Sequence, residues 1–167
     1  AQITEVKVLN EHGAKALGKP MGSYLTLEAD KLLMPDEDFH SEVSDELALL
    51  LKGLLKQKTG KNILVAGLGN QSVTPDSLGP RTVSNLCVSA EGLKAIAPGV
   101  MAQTGMETAR ILLGIIKEVQ PDLVIAIDAL AARSIRRLGT TIQLTDTGIH
   151  PGSGVGNHRH SLTKETL

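Results

Sequence analysis

Aromatic side chains are almost absent from this chain: one Phe (Phe39), one Tyr (Tyr24) and no Trp amount to 1% of its 167 residues. The core must therefore be built from Leu, Ile, Val and Ala, and stacking on nucleic-acid bases is nearly excluded. Charge of one sign is missing too, since 17 Lys and Arg against 18 Asp and Glu leave a net charge of -1, which supplies no broad basic field for phosphate backbones. A local cluster, Arg133, Arg136 and Arg137, suits one anion or an acidic peptide, or simply a solvated face. The single cysteine, Cys87, has no partner in the chain, so neither a disulfide framework nor a cysteine metal cluster is available. Its apolar surroundings predict a buried, inert thiol in a reducing compartment. No apolar run approaches the ~20 residues of a membrane span, and the N-terminus lacks a signal-peptide pattern. A cytoplasmic protein without membrane or nucleic-acid partners is expected.

What is present fits one soluble domain over residues 1–167, with 41% hydrophobic residues and enough length for a sizeable core. Residues 3–9 and 24–28 alternate as half-buried strands do, and the cluster Gly13, Gly18, Pro20 and Gly22 between them reads as a loop, so an antiparallel pair at a sheet edge is expected. An acidic start at Asp36-Glu37-Asp38 leads into a helix over 38–57, with Val43, Leu47, Leu50, Leu51, Leu54 and Leu55 at three- and four-residue steps. Residues 63–66 form a short apolar, partly β-branched run ended by Gly67 and Gly69, as in a buried parallel strand. Thr74, Pro75 and Asp76 then read as N-cap, first helical position and first-turn acid of a helix over 77–87. Residues 88–100 read as loop. Thr104 and Glu107 have capping-box spacing before a helix through Val119, which Pro121 stops. Residues 123–127 form another apolar strand with Asp128 at its end, and residues 140–144 a third.

This succession predicts an α/β fold with a right-handed crossover. Ligand and catalytic groups of such sheets collect beyond the carboxyl ends of the strands, which puts Asp76 and Asp128 on one rim. Two carboxylates brought within a few ångströms share a proton, and such a pair can activate a water and protonate a leaving amine. The plainer alternatives are a helix-start acid for Asp76 and an acid bonded to a neighbouring turn for Asp128. A dinucleotide site fails because Ser72 stands where a third glycine belongs, and a P-loop fails because no Gly-Lys-Ser/Thr follows; no cofactor is expected. Asp76, Asp128, Asp146 and His150 would make a mixed set for a divalent ion, but there is no tight His pair, and His150 before Pro151 reads equally as a loop-fixing hydrogen bonder. His158 and His160 lie in a polar, basic tail and read as solvated. Gly152-Ser-Gly-Val-Gly156 follows no strand and is not a nucleophile elbow.

Four blocks in order, Gly67-Leu-Gly69-Asn70 with Val73-Thr-Pro-Asp76-x-Leu-Gly-Pro-Arg81, Pro98-Gly-Val-Met101 with Thr104-Gly-x-Glu107-Thr108, Ala126-Ile-Asp128-Ala-Leu-Ala-x-Arg-Ser134, and Asp146-Thr-Gly-Ile-His-Pro-Gly-Ser-Gly-Val-Gly-Asn157, resemble the germination proteases of spore-forming bacteria. The resemblance covers the chain from about Leu25 onward, and more loosely before it. It implies an endopeptidase that degrades small acid-soluble spore proteins when a spore germinates, located in the cytoplasm of the forespore and spore core. It further implies an atypical aspartic protease whose two essential acids correspond to Asp76 and Asp128. The implied fold is a three-layer α/β/α arrangement with a largely parallel central sheet, similar to that of hydrogenase maturation endopeptidases, where acids at comparable strand ends bind a metal. Family members form homotetramers and are made as zymogens that lose a propeptide. Against that pattern the chain is expected to lack the propeptide region, to have a short loop between Val88 and Pro98, and to stop before strands that complete the sheet. Asp146 and the glycine-rich loop are expected to shape the cleft, and Asn70 or amides near Gly69 to hold an oxyanion. A metal-dependent maturation-type peptidase and a non-catalytic binding or assembly module are the alternatives.

Overall fold

The computed structural model describes residues 1–55, 62–88, 92–132, 134–150, 161–163 and 166. Along the chain come β1 (Gln2–Val8), α1 (Glu11–Leu17), β2 (Gly22–Glu28), α2 (Glu37–Leu55), β3 (Ile63–Gly67), α3 (Leu78–Ser84) and β4 (Leu93–Ile96). Then follow α4 (Met101–Thr104), α5 (Thr108–Val119), β5 (Leu123–Ile127) and β6 (Thr141–Thr145). The chain is of the α/β class, with one antiparallel sheet ordered β1-β2-β6 and one parallel sheet ordered β4-β3-β5. Each sheet belongs to its own compact unit: Ala1–Gln57 with Ala132–Thr147, and Lys58–Ala131 with Gly148–Leu167. Among the described residues no helix is long and apolar enough to cross a membrane.

In the first unit β1 and β2 pair antiparallel, as their alternation predicts, with Glu5 opposite Leu25. The segment between them is a helix, not the expected loop. Asn10 caps α1 by accepting the Gly13 N–H at 2.8 Å, and Gly18 closes it in the left-handed region at φ 62; a start signal and a stop signal outweigh the glycine between them. The inward face of β2 buries Leu25 and Leu27. Leu27 and Ala29 pack with Val43 of α2, joined by Phe39, Leu50 and Ile142, so the helical stripe read from 38–57 has its sheet partner. The last expected positions of that helix, 56–57, lie outside the described residues.

The second unit is built on β3, whose Leu64, Val65 and Ala66 are 2%, 5% and 0% exposed. A strand covered on both faces has no polar alternation, which is why it reads as a continuous apolar run. It lies between β4 and β5, both parallel to it. β4 falls within the stretch expected to be loop: Leu93-Lys-Ala-Ile96 is too short and weakly patterned to declare itself, and its extended form is set by pairing with β3. Asn62 ties the starts of β3 and β5, its side-chain amide donating to the carbonyls of Val119 and Gln120 while its own N–H donates to Asp122. Leu112, fully buried on α5, packs with Ala66, Leu68 and Leu162.

Two further expectations are corrected. The Thr104–Glu107 capping box does not form: Thr104 ends α4, Gly105 turns left-handed after it, and α5 begins at Thr108 with no side-chain cap from Glu107. The Thr104 hydroxyl accepts the Met106 N–H instead, because the glycine breaks what would have been one helix. The third strand, β6, does not extend the parallel sheet; it pairs antiparallel with β2, Thr26 opposite Gln143.

Candidate functional site

Asp76 is placed by a backbone arrangement that only glycines allow. Beyond β3 the chain passes Gly69 at φ +113, where an added Cβ would overlap the carbonyl oxygen of Asp76; only glycine combines that dihedral with that approach. The chain then folds back through a single 3-10 turn, Thr74–Asp76, with Pro75 in its first turn and Asp76 as its acid. Val73, not Thr74, occupies the N-cap position and no side chain caps it, so the expected Thr74 cap is not made. The Asn70 N–H lies 2.9 Å from Asp76 Oδ2 and 3.0 Å from the Asp76 carbonyl oxygen. A shared donor of this kind pins the half-buried carboxylate to the glycine-rich loop.

Helix α3 continues from that turn and docks on the strand ends through a second close approach. A Cβ on Gly79 would sit 2.5 Å from the carbonyl oxygen of Ile127 and overlap the Leu68 backbone, and one on Gly67 would overlap Gly79. The backbones of α3, β3 and β5 therefore meet without intervening side chains. Leu68 N–H donates to Ile127 O at 2.8 Å, continuing the β3–β5 ladder past Gly67. Asp128 is the next residue after β5; it is half-buried, and its Oδ1 accepts the Ala129 N–H at 3.0 Å. The loops carrying Asp76 and Asp128 thus leave the carboxyl ends of adjacent parallel strands, the edge to which the sequence assigns them.

The other candidates are placed differently. Asp146 belongs to the first unit, where its Oδ1 accepts the Ser23 N–H at 2.8 Å, joining the end of β6 to the start of β2. His150 is exposed and follows the isolated bridge between Ile149 and Leu162. Among the described residues no group of three or more His, Cys, Asp or Glu side chains gathers to hold a metal. Arg137 pairs with Glu28 at 3.0 Å, whereas Arg133, the glycine-rich run 152–156, His158 and His160 lie outside the described residues. Cys87 is exposed and free, contrary to the buried thiol expected, because α3 ends at Ser84 and leaves it beyond the packed helix.

The Asn70 N–H, one of the amides considered for an oxyanion, is engaged by Asp76. Its side chain has a partner that sequence reading missed. Gln103 donates from Nε2 to Asn70 Oδ1 at 2.9 Å, while its Oε1 accepts the Val100 N–H at 3.3 Å. α4 is thereby linked to the acid-bearing loop. No local pattern announces a contact 33 positions apart; the sequence puts Gln103 before the expected helix start at Thr104, and α4 itself is seen only in the structure.

Fold and edge together define an α/β protein with an acidic residue in each of two neighbouring loops at the carboxyl end of a parallel sheet. A family model described as germination protease matches residues 1–167. The chain belongs to the germination protease family. It is 49% identical to a germination protease of Caldanaerobacter subterraneus subsp. tengcongensis, over 99% of this chain and 56% of that protein. It is 47% identical to one from Bacillus subtilis, over 99% of this chain and 50% of that protein, and 42% identical to one from Clostridium perfringens, over 99% and 55%. The chain spans about half the length of these curated relatives.

Proposed function

We propose that this chain is the acid-bearing part of an endopeptidase that degrades small acid-soluble spore proteins as a spore germinates. Family membership over the whole chain supports the reading, and one structural observation carries it to a mechanism. That observation is the delivery of Asp76 and Asp128 to adjacent strand ends by the Gly67–Gly79 contact and the β3–β5 ladder. In this mechanism one carboxylate takes a proton from a water as it attacks the peptide carbonyl. The other, protonated, hands its proton to the leaving amine. The shared donor from Asn70 orients Asp76 for its part. The full protein works as a homotetramer in the cytoplasm of the spore core, after a zymogen step.

The test is cleavage of a small acid-soluble spore protein by full-length protein carrying Asp76→Asn or Asp128→Asn. Each variant is expected to lose at least about 100-fold in kcat, the lower end of a general acid or base contribution, with its thermal midpoint near that of the parent. Wild-type turnover by either variant would sink the pair assignment.

A further inference from the structure

Among the described residues the Asp76 carboxylate has one hydrogen-bond donor, the Asn70 N–H at 2.9 Å, so whatever fixes Asn70 also fixes the acid. The Asn70 side chain is in turn held from α4 by Gln103. We infer that Gln103 is a positioning residue for Asp76: acting through Asn70, it keeps the carboxylate in its working orientation. The inference rests on the aspartate-pair endopeptidase reading, and it adds a residue that lies in neither acid-bearing loop.

The direction of this chain of bonds is fixed by the main chain. A side-chain amide can be turned end for end, but a backbone N–H can only donate. Asn70 Oδ1 accepts the Ser72 N–H at 3.0 Å, so the oxygen and not the NH2 group faces the loop. Gln103 Oε1 accepts the Val100 N–H at 3.3 Å, which leaves Nε2 to donate to Asn70 Oδ1 at 2.9 Å. Each atom is in its permitted role. With one donor from its own loop and one from α4, the Asn70 side chain cannot rotate without breaking both bonds.

Gln103 also stands on a fixed base. Gly99, at φ +76, precedes α4, and an added Cβ there would come within 3.2 Å of Gln103 Oε1; the bend leaves room for that oxygen. Val100 is 7% exposed, and the Thr108 hydroxyl donates to the Gly99 carbonyl at 3.1 Å. By contrast α4 has four residues and buries none of them, so core packing does not account for the link to Asn70. Gln103 is itself exposed. Its replacement should therefore cost little stability, and an effect on turnover can be read apart from folding.

The experiment compares Gln103→Glu and Gln103→Ala in full-length protein acting on a small acid-soluble spore protein. The glutamate accepts the Val100 N–H as before but, when ionised, has no proton to give Asn70 Oδ1; it keeps the α4 contact and cuts the link. Alanine removes both bonds without adding charge. Each variant should lose about tenfold or more in kcat, since a displacement near 1 Å can cost about 100-fold, with KM within about twofold and an unchanged thermal midpoint. Parent-like turnover in Gln103→Glu overturns the inference, because support of α4 would then be all that Gln103 supplies. A loss confined to Gln103→Glu overturns it too, because that would be the effect of the added charge. Should the full-length protein cut no spore protein, or Asp76→Asn cut as the parent does, the endopeptidase reading fails by itself. Hydrogen exchange at the Asn70 amide then decides the link: it must quicken at least about threefold in both variants, and an unchanged rate overturns the inference.

Discussion

Gly79→Ala is the sharpest test of how the two acid-bearing loops are held. The new methyl would sit 2.5 Å from Ile127 O and closer still to the backbone of Leu68, where ordinary contact begins at 3.4 Å. All three neighbours are main-chain atoms of the packed edge, so none can rotate away; α3 must lift from β3 and β5 by about 1 Å. Overpacking of this kind costs about 1–3 kcal/mol, and the helical preference for alanine returns at most about 1 kcal/mol. A net loss near 1–2 kcal/mol corresponds to a thermal midpoint lower by roughly 2–8 °C. Circular-dichroism melts of the full-length protein read it. Gly53→Ala, on an exposed turn of α2 with nothing within 4 Å of the added methyl, serves as the control and should be neutral or stabilising by up to about 1 kcal/mol. Hydrogen exchange at the Leu68 amide should also accelerate in Gly79→Ala, since its bond to Ile127 O spans the disturbed contact. A Gly79→Ala protein that melts at or above the parent would refute the argument that the backbones touch there.

Two more outcomes probe a buried core position and a helix cap. Leu112→Ala removes a side chain that is 0% exposed and should lower stability by about 2–5 kcal/mol in urea unfolding, whereas Leu113→Ala, at a position 42% exposed, should stay within about 0.5 kcal/mol; equal losses would contradict the assignment of faces on α5. Asn10→Ala deletes the cap of α1, a helix that buries none of its residues. Exchange of the α1 amides should quicken by the equivalent of about 1 kcal/mol while the global midpoint barely moves, and a shift of the whole transition would show that α1 is integral to the core.

Several elements are legible in the sequence because their signals are local. The stripe of α2, the buried run of β3 and the apolar run of β5 each depend on residues within one or two turns of each other, and each appears within about two residues of the expected bounds. The placement of Asp76 and Asp128 beyond adjacent strand ends is legible for a related reason. A strand that ends in glycine and a strand that ends in aspartate mark their own carboxyl ends, and that edge is where polar groups of a parallel sheet can stand. α1 reads as loop from its glycines although Asn10 caps it, and the Thr104–Glu107 spacing misleads because Gly105 lies inside it.

Beyond the β1–β2 pair, which strands become neighbours is decided only by the tertiary structure. β4 has four residues and no periodicity to speak of; it is a strand because β3 offers it an unpaired edge. β6 carries the residues of an ordinary strand, yet pairs with β2 across more than a hundred positions, a choice set by which edge and which apolar face remain to be covered. Asp146 follows β6 and so holds Ser23, and Gln103 meets Asn70 for equally non-local reasons. Helix periods and strand ends are properties of short-range sterics and hydrogen bonding, which a linear sequence displays. Pairing, backbone contact such as that of Gly67 with Gly79, and the exposure of Cys87 depend on what the folded chain brings alongside.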